Sequence, residues 1–122
     1  MIKISDSELE IMQIIWEKGE ITSTKIIEEL KTKKWDRNTI RTFITRLIGK
    51  KAVGISKKDG KRYTYVALIN KKDYAIQKTK YFIDKLFNGS ILDFLKYWID
   101  NNPEYIEEIR ETIKEIIEKE GG

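Results

Sequence analysis

One stretch decides how this chain is organised: Asp36–Ile48, which reads DRNTIRTFITRLI. Successive residues of an α-helix lie about 100° apart around its axis, so this stretch predicts a helix with two distinct faces. The apolar face collects residues at helical spacing: Ile40, Phe43, Ile44, Leu47 and Ile48. The opposite face collects polar residues, with two arginines at its margins: Asn38, Arg41, Thr42 and Thr45, flanked by Arg37 and Arg46.

The polar face of this predicted helix contains no acidic residue. An ordinary solvent-exposed helix face usually mixes both signs of charge. Arg, Asn and Thr, in contrast, are side chains that read base edges and contact phosphates. The pattern therefore favours a helix that enters the major groove of DNA. The alternative is an ordinary surface face that happens to lack acids. The surrounding sequence distinguishes a DNA-binding helix from such a face.

Positive charge is concentrated around the same helix. Residues 31–62 contain 12 Lys or Arg and 2 Asp or Glu, whereas the net charge of the whole chain is only +4. Residues 69–122, with 9 basic and 11 acidic side chains, are slightly acidic. A composition rich in lysine would explain the lysines but not the missing acids. Because concentrated positive charge attracts phosphates, the distribution predicts a polyanionic partner.

The absence of certain residue types excludes most catalytic chemistry. The chain contains no Cys and no His, which removes disulfides, thiolate and zinc sites, and Ser-His catalysis. No paired carboxylates or glycine-rich phosphate loop stand out, so an enzyme that uses only carboxylates is a remote alternative. We therefore expect a protein that is not an enzyme and needs no metal or cofactor. No apolar run approaches the roughly 20 residues of a membrane span, and no signal peptide is recognisable, so we expect a cytoplasmic protein.

Two further helices are predicted before the Asp36–Ile48 helix. Ser5 and Glu8 have the spacing of a capping box, which predicts a helix over residues 6–18 that stops at Gly19. A second helix is expected to begin at Thr22 or Ser23. Asp36 is expected to cap the third helix, which would run to about residue 51, and Trp35 is expected to pack against the core.

A β-hairpin is predicted directly after the third helix. Residues 53–57 and 62–68 have the pattern of strands, and the pair Asp59-Gly60 between them favours a tight turn. Three helices and a hairpin form a winged helix-turn-helix, in which the third helix enters the major groove and the hairpin, the wing, lies against the DNA backbone or minor groove. Four basic residues cluster near the tip of the wing: Lys57, Lys58, Lys61 and Arg62. We expect four apolar side chains to anchor it to the helices: Val53, Ile55, Tyr63 and Tyr65.

The sequence thus predicts a mainly α protein with a small β-hairpin, with a winged-helix DNA-binding domain over residues 1–69 and a helical region over residues 70–122. In the second region, Gly89 interrupts the helical pattern, Ser90 and Asp93 mark a new helix start, and Asn102 with Pro103 marks another. The region has more large apolar side chains than one copy covers readily, which favours dimerisation; the alternative is that it folds back on the winged domain. The candidate dimerisation residues are Phe82, Leu86, Ile91, Phe94, Leu95, Trp98, Ile109 and Ile113.

The order of these motifs resembles the penicillinase-repressor family, the BlaI/MecI/CopY group of winged-helix transcriptional repressors. The resemblance covers nearly the whole chain, and its most specific parts are Glu8–Trp16 (ELEIMQIIW), Asn38–Leu47 (NTIRTFITRL) and the strand start Arg62–Tyr65. It implies a homodimer that occupies a palindromic, inverted-repeat operator in double-stranded DNA and blocks transcription of β-lactam-resistance or related genes. By position, it also implies groove and phosphate contacts by Asn38, Thr39, Arg41, Thr42 and Arg46, and wing contacts by Lys57, Lys58, Lys61 and Arg62.

The resemblance further implies how repression is relieved. Members that control β-lactam resistance are cut within the dimerisation region, at an Asn-Phe bond, after activation of a membrane sensor-metalloprotease. The corresponding bond here joins Asp93 to Phe94. The copper-responsive branch carries a cysteine cluster that this chain lacks, which argues against sensing of a soft metal. The alternative function is a winged-helix interaction or architectural module without operator-specific repression.

Overall fold

The computed structural model describes residues 2–33 and 35–121. Its elements, in chain order, are α1 (Asp6–Lys18), β1 (Glu20–Thr22), α2 (Ser23–Glu29), α3 (Arg37–Gly49), β2 (Val53–Asp59), β3 (Arg62–Ala67), α4 (Lys71–Phe87), α5 (Ile91–Asn101), a 3-10 turn (Pro103–Tyr105) and α6 (Ile106–Gly121). The chain forms two compact units that divide after Ile76, within α4. The predicted domain boundary at residue 69 stays a prediction. Within the described residues, no helix is long and apolar enough to cross a membrane.

The first three helices begin at the residues that the sequence predicts. The capping box of α1 is formed in both directions: the Glu8 amide donates to Ser5 Oγ at 3.1 Å, and the Ser5 amide donates to Glu8 Oε1 at 2.9 Å. Thr22 accepts a hydrogen bond from the amide of Lys25 and so caps α2. Asp36 caps α3, because its Oδ1 accepts from the Thr39 amide at 2.7 Å. These caps satisfy amide groups that have no partner within the helix.

The core of the first unit lies between α1, α2, α3 and the sheet. Its largest fully buried apolar side chains are Ile11, Met12, Ile15, Ile26, Ile40, Leu47 and Val53. Each such side chain stabilises the fold by roughly 1.5–3 kcal/mol relative to its exposed state. Trp35 packs edge-on against Phe43, with 5.3 Å between the ring centroids, which confirms that this tryptophan has a packing role.

The predicted hairpin is confirmed, but it belongs to a sheet of three antiparallel strands in the order β1-β3-β2. Strand β1, in which Ile21 pairs with Tyr65 of β3, is not predicted by the sequence pattern. Asp59 pairs with Arg62, so the turn consists of Gly60 and Lys61, one residue later than the Asp59-Gly60 pair. Gly60 has a φ of 62°, which suits the first central position of a type II′ turn.

The prediction of four wing anchors is wrong for two of them. Val53 and Tyr65 are buried, with 1% and 8% of their surface exposed, but Ile55 and Tyr63 are 37% and 36% exposed. All of β2 after Gly54 is exposed, because Val53 is the last residue of this strand that packs into the core. The wing is therefore anchored at its base only.

Both helix starts predicted in the second unit are present, but only the first has a side-chain capping bond. Asn88 and Gly89 have φ values of 49° and 81° and end α4, and Ser90 Oγ accepts from the Asp93 amide at 3.1 Å to cap α5. Asn102, however, makes no side-chain capping bond at the start of the next turn. Its Nδ2 donates instead to the Trp98 carbonyl at 2.9 Å. Asn102 therefore stands at the N-cap position, with Pro103 at the start of the turn, as the sequence predicts, but its side chain bonds back to α5.

Candidate nucleic-acid interface

The two faces of α3 are separated as its periodicity predicts. Ile40, Ile44 and Leu47 are buried in the core. The polar residues on the other side are exposed: Arg37, Asn38, Arg41, Thr42, Thr45 and Arg46. Thr39 differs from the rest of the predicted contact residues, since it is half-buried. The structure therefore presents an acid-free surface of α3, which we call the α3 polar face and define by those six exposed residues.

Two threonines of the α3 polar face are hydrogen-bonded to the helix itself. Thr42 Oγ1 donates to the Asn38 carbonyl, and Thr45 Oγ1 donates to the Arg41 carbonyl, both at 2.9 Å. Such bonds are common for threonine within helices and fix the side-chain rotamer. The hydroxyl proton of each threonine is then occupied, while its methyl group and an oxygen lone pair remain available to a ligand.

The acid that directly precedes α3 in the sequence, Asp36, is hydrogen-bonded to the helix that it caps. The hydrogen bond from the backbone of Thr39 holds the pKa of the Asp36 carboxyl below its usual value. A negative charge is also favourable at the N-terminus of a helix, where the amides point toward it. Asp36 therefore stays ionised without approaching the exposed arginines as an ion-pair partner within the described residues.

The basic side chains of the wing lie on exposed parts of β2, β3 and the turn. Lys57, Lys58, Lys61 and Arg62 are all exposed. An irregularity between Ile55 and Lys57 shifts the register, so that Lys58 pairs with Tyr63. The Nζ atom of Lys58 lies 5.7 Å from the centre of the Tyr63 ring, a distance at which a cation is attracted by the ring face. This contact orients one of the four basic side chains of the wing.

A short joint connects α3 to the wing. It comprises Lys50, Lys51 and Ala52, between the end of α3 and the start of β2. Lys50 Nζ donates to Glu8 Oε1 at 2.5 Å, and only 2% of the Glu8 side chain is exposed. Burial disfavours the ionised form of Glu8, but the hydrogen bonds from Lys50 and Ser5 and the charge of Lys50 outweigh it and lower the pKa of the carboxyl.

The sequence pattern identifies Glu8 as a capping residue but not its partner, which lies 42 residues away. The sequence does, however, indicate that Glu8 is buried. Glu8 shares the spacing i, i+3, i+4, i+7 with Ile11, Met12 and Ile15, which places it on the buried side of α1. A buried carboxylate needs a partner, so a basic residue elsewhere in the domain was to be expected, although the spacing alone does not identify Lys50.

The candidate dimerisation residues lie on the helices of the second unit and remain substantially uncovered. Leu86 and Ile91 are 67% and 60% exposed, and Phe82, Trp98 and Ile113 are also exposed, whereas Phe94, Leu95 and Ile109 are half-buried. The aromatic members contact one another: the ring centroids of Phe82 and Phe94 are 5.8 Å apart, and those of Phe94 and Trp98 are 6.5 Å apart. The structure thus brings Phe82, Phe94 and Trp98 into one aromatic cluster, and most of the candidate dimerisation residues remain exposed.

The Asp93–Phe94 bond lies in the first turn of α5. The amide of Asp93 donates to Ser90 Oγ, and the amide of Phe94 donates to the Ser90 carbonyl at 3.2 Å. The side chain of Phe94 also packs edge-on against Phe87, with 5.4 Å between the ring centroids. In this conformation the bond is part of a capped helix and not of an extended segment.

Comparison with known protein families gives a match along most of the chain. The model of the penicillinase repressor family matches residues 4–119. The penicillinase repressor of Bacillus licheniformis is 36% identical over 110 residues, which cover 89% of this chain and 85% of the relative. The methicillin resistance regulatory protein MecI of Staphylococcus aureus (strain N315) is 39% identical over 116 residues, covering 91% and 93%.

Two solved structures resemble the first unit. The solution structure of the DNA-binding domain of the repressor BlaI has a TM-score of 0.55 and 40% identity, and the match covers 60% of this chain and 89% of that one. The Bacillus licheniformis BlaI monomeric form in complex with the blaP half-operator has a TM-score of 0.52 and 38% identity, covering 61% and 92%. The mainly α winged-helix architecture predicted from the sequence is thereby confirmed.

Proposed function

Because the chain belongs to the penicillinase repressor family, we propose that it is a transcriptional repressor that binds operator DNA and performs no catalysis. The observation that carries this function is the α3 polar face, which is exposed, acid-free and directed away from the core by the buried residues behind it. The related BlaI monomer is known in complex with a half-operator, which supports DNA as the ligand of the same domain here.

Each candidate contact has a chemical role on a duplex. Arg41, near the middle of the α3 polar face, addresses the edge of a guanine with two hydrogen bonds, the commonest specific contact in the major groove. Thr42 offers its methyl group to a thymine. Asn38, Thr39 and Arg46 contact the flanking backbone or bases, and the wing residues Lys57, Lys58, Lys61 and Arg62 bind phosphates, which adds affinity without sequence preference.

The active form that we propose is a homodimer on an inverted repeat. A single recognition helix discriminates poorly, whereas two copies related by a two-fold axis read two half-sites about one helical turn apart. In support, the helices of the second unit expose the apolar side chains that a partner would cover. We assign DNA binding to residues 1–69 and dimerisation to residues 70–122. The protein would bind its operator in the cytoplasm.

We also propose that repression is relieved by proteolysis. A sensor-metalloprotease would cut the bond between Asp93 and Phe94, separating the dimerisation helices from the DNA-binding domain. Proteases bind extended segments, so the first turn of α5, capped by Ser90, would have to open before cleavage. We propose that β-lactam-resistance or related genes are the ones controlled.

Footprinting of the region upstream of the chain's own gene tests this function. We expect one protected inverted repeat, and a competition assay in which a duplex with this repeat binds at least about 10³-fold more tightly than bulk DNA, the lower end of the usual specificity range. Equal binding to the upstream duplex and to bulk DNA would instead identify an architectural module. No binding to either duplex would point to a protein-interaction module.

A further inference from the structure

Glu8 is a buried charge with two specific partners. Its Oε1 accepts a hydrogen bond from the Ser5 amide at 2.9 Å and from Lys50 Nζ at 2.5 Å, while only 2% of its side chain is exposed. The capping-box bond with Ser5 does not account for the second partner, Lys50, which lies 42 residues away in the sequence. The ion pair with Lys50 therefore needs an explanation beyond the capping of α1.

Lys50 is the first residue of the joint between α3 and the wing. The next residue, Lys51, has a φ of 63°, in the left-handed region. Ala52 is fully buried; its amide donates to the Leu47 carbonyl at 3.0 Å, and its own carbonyl accepts from the Leu68 amide at 2.8 Å. The joint is thus bonded to α3 on one side and to the end of β3 on the other, and Glu8 binds its first residue to α1.

We propose that Glu8 is a positioning residue for operator recognition: through Lys50, it fixes the orientation of the wing relative to α3, so that both elements reach one duplex together. This inference rests on the proposed function. Glu8 itself touches no DNA, because it is buried behind α3. Specific binding requires the helix and the wing to fit simultaneously, whereas non-specific binding tolerates either element alone.

Removing the Glu8 carboxylate should change the affinity for DNA in opposite directions under two explanations, charge alone and positioning of the wing. Glu8→Gln removes one negative charge and leaves Lys50 without its partner. If charge alone mattered, the variant would bind every duplex more tightly and with a steeper salt dependence. If Glu8 positions the wing, the variant binds the operator more weakly and leaves binding to other DNA nearly unchanged. Glutamine keeps the capping-box hydrogen bond, so the start of α1 is preserved.

The test compares Glu8→Gln with Ser5→Ala in the full-length chain. Ser5→Ala removes one hydrogen bond of the same capping box but leaves the ion pair between Glu8 and Lys50 intact. The probes are the duplex protected in the footprint and a scrambled duplex of equal length. We expect Glu8→Gln to lose about tenfold in affinity for the protected duplex and less than about twofold for the scrambled one, as is typical of a coupling energy between contacting groups. Ser5→Ala should change neither affinity by more than about twofold.

Two further variants keep the inference testable. The double variant Glu8→Gln/Lys50→Met leaves the net charge unchanged and buries no unpaired charge; it should show the same selective tenfold loss even if Glu8→Gln alone folds poorly. In a background without the wing lysines (Lys58→Ala/Lys61→Ala), Glu8→Gln should lower the affinity for the protected duplex by less than about threefold. A wing that no longer binds phosphates contributes little to affinity, so its orientation matters little.

Different results would overturn the positioning role and the proposed function. Equal losses on both duplexes, or equal losses in Glu8→Gln and Ser5→Ala, would show that Glu8 only stabilises the fold. A tenfold loss that persists without the wing lysines would show that Glu8 does not act through the wing. If the unmodified chain does not distinguish the protected from the scrambled duplex, the proposed function itself is wrong.

Discussion

Thr42 Oγ1 donates a hydrogen bond of 2.9 Å to the backbone carbonyl of Asn38. Its proton is therefore occupied, and the group best placed to meet a base is the methyl. We expect Thr42→Val, which keeps a methyl at this position, to bind the operator within about twofold of the unmodified chain. Thr42→Ser keeps the hydroxyl and lacks the methyl; it should bind about fourfold more weakly, or roughly 0.8 kcal/mol for one apolar group. Fluorescence anisotropy with the operator duplex measures both affinities, and the reverse order of the two variants would assign the interaction to the hydroxyl.

Arg41 provides the sharpest test of base reading. Arg41→Ala should weaken operator binding by roughly 1–3 kcal/mol and binding to random DNA much less, because alanine cannot form the two hydrogen bonds to guanine. Arg41→Lys is the matched control, since it keeps the positive charge but not the planar fork of donors. If Arg41→Lys binds the operator as tightly as arginine does, or if Arg41→Ala weakens binding to both duplexes equally, Arg41 contacts only phosphate.

The lysines of the wing should act on affinity rather than on specificity. Because Lys58 and Lys61 are exposed at the hairpin tip, replacing each with Ala should weaken binding to all sequences. The slope of log K against log salt concentration should fall in magnitude by about 0.9 for each phosphate that the variant no longer neutralises. Lys114→Ala, on exposed α6, serves as the control and should leave this slope unchanged. A weakening confined to the operator would mean that the wing also reads bases.

The features that local sequence predicts and those that it misses differ in a physical way. The caps at Ser5, Thr22 and Asp36 involve residues three positions apart, so their pattern is visible in the sequence. Strand β1 has only three residues and exists because β3 pairs with it from more than 40 positions later. The ion pair between Glu8 and Lys50 spans a similar distance. Lys51 adopts a left-handed conformation that usually requires glycine, so no residue type marks the joint.

The same distinction holds for the candidate site. The exposure of the α3 polar face follows from periodicity, because the opposite side of the helix is apolar along its whole length. That Thr42 and Thr45 bond to their own helix depends on rotamers, which the sequence does not specify. Burial of only half of the predicted wing anchors depends on packing between residues far apart in the sequence, which a local pattern does not specify.

Glu8 should also make stability depend on pH in the acid range. Its pKa in the folded chain lies below the ordinary value of 4.5, so its ion pair stabilises the fold in full above the ordinary value and is lost as the pH falls through the folded-state pKa. The difference in urea midpoint between the unmodified chain and Glu8→Gln should therefore be largest at pH 7 and should shrink steadily as the pH is lowered below 4.5. A difference that does not change with pH would mean that the carboxylate contributes through packing alone.

Trp98 tests whether the exposed faces of the second unit join two copies. Trp98 is 43% exposed on α5 and stacks on Tyr105 of its own chain, with ring centroids 6.0 Å apart. At tens of micromolar, light scattering should give the unmodified chain a mass twice the 14.5 kDa of one copy. Trp98→Glu should give the mass of one copy, because a buried, unpaired charge opposes association. Lys96→Glu changes an exposed side chain of the same helix and should remain dimeric. Operator affinity should fall with Trp98→Glu, since two half-sites held by separate monomers no longer benefit from effective concentration. An unmodified chain that is monomeric at this concentration would contradict dimerisation, and tight binding by that monomer would show that one copy suffices for the operator.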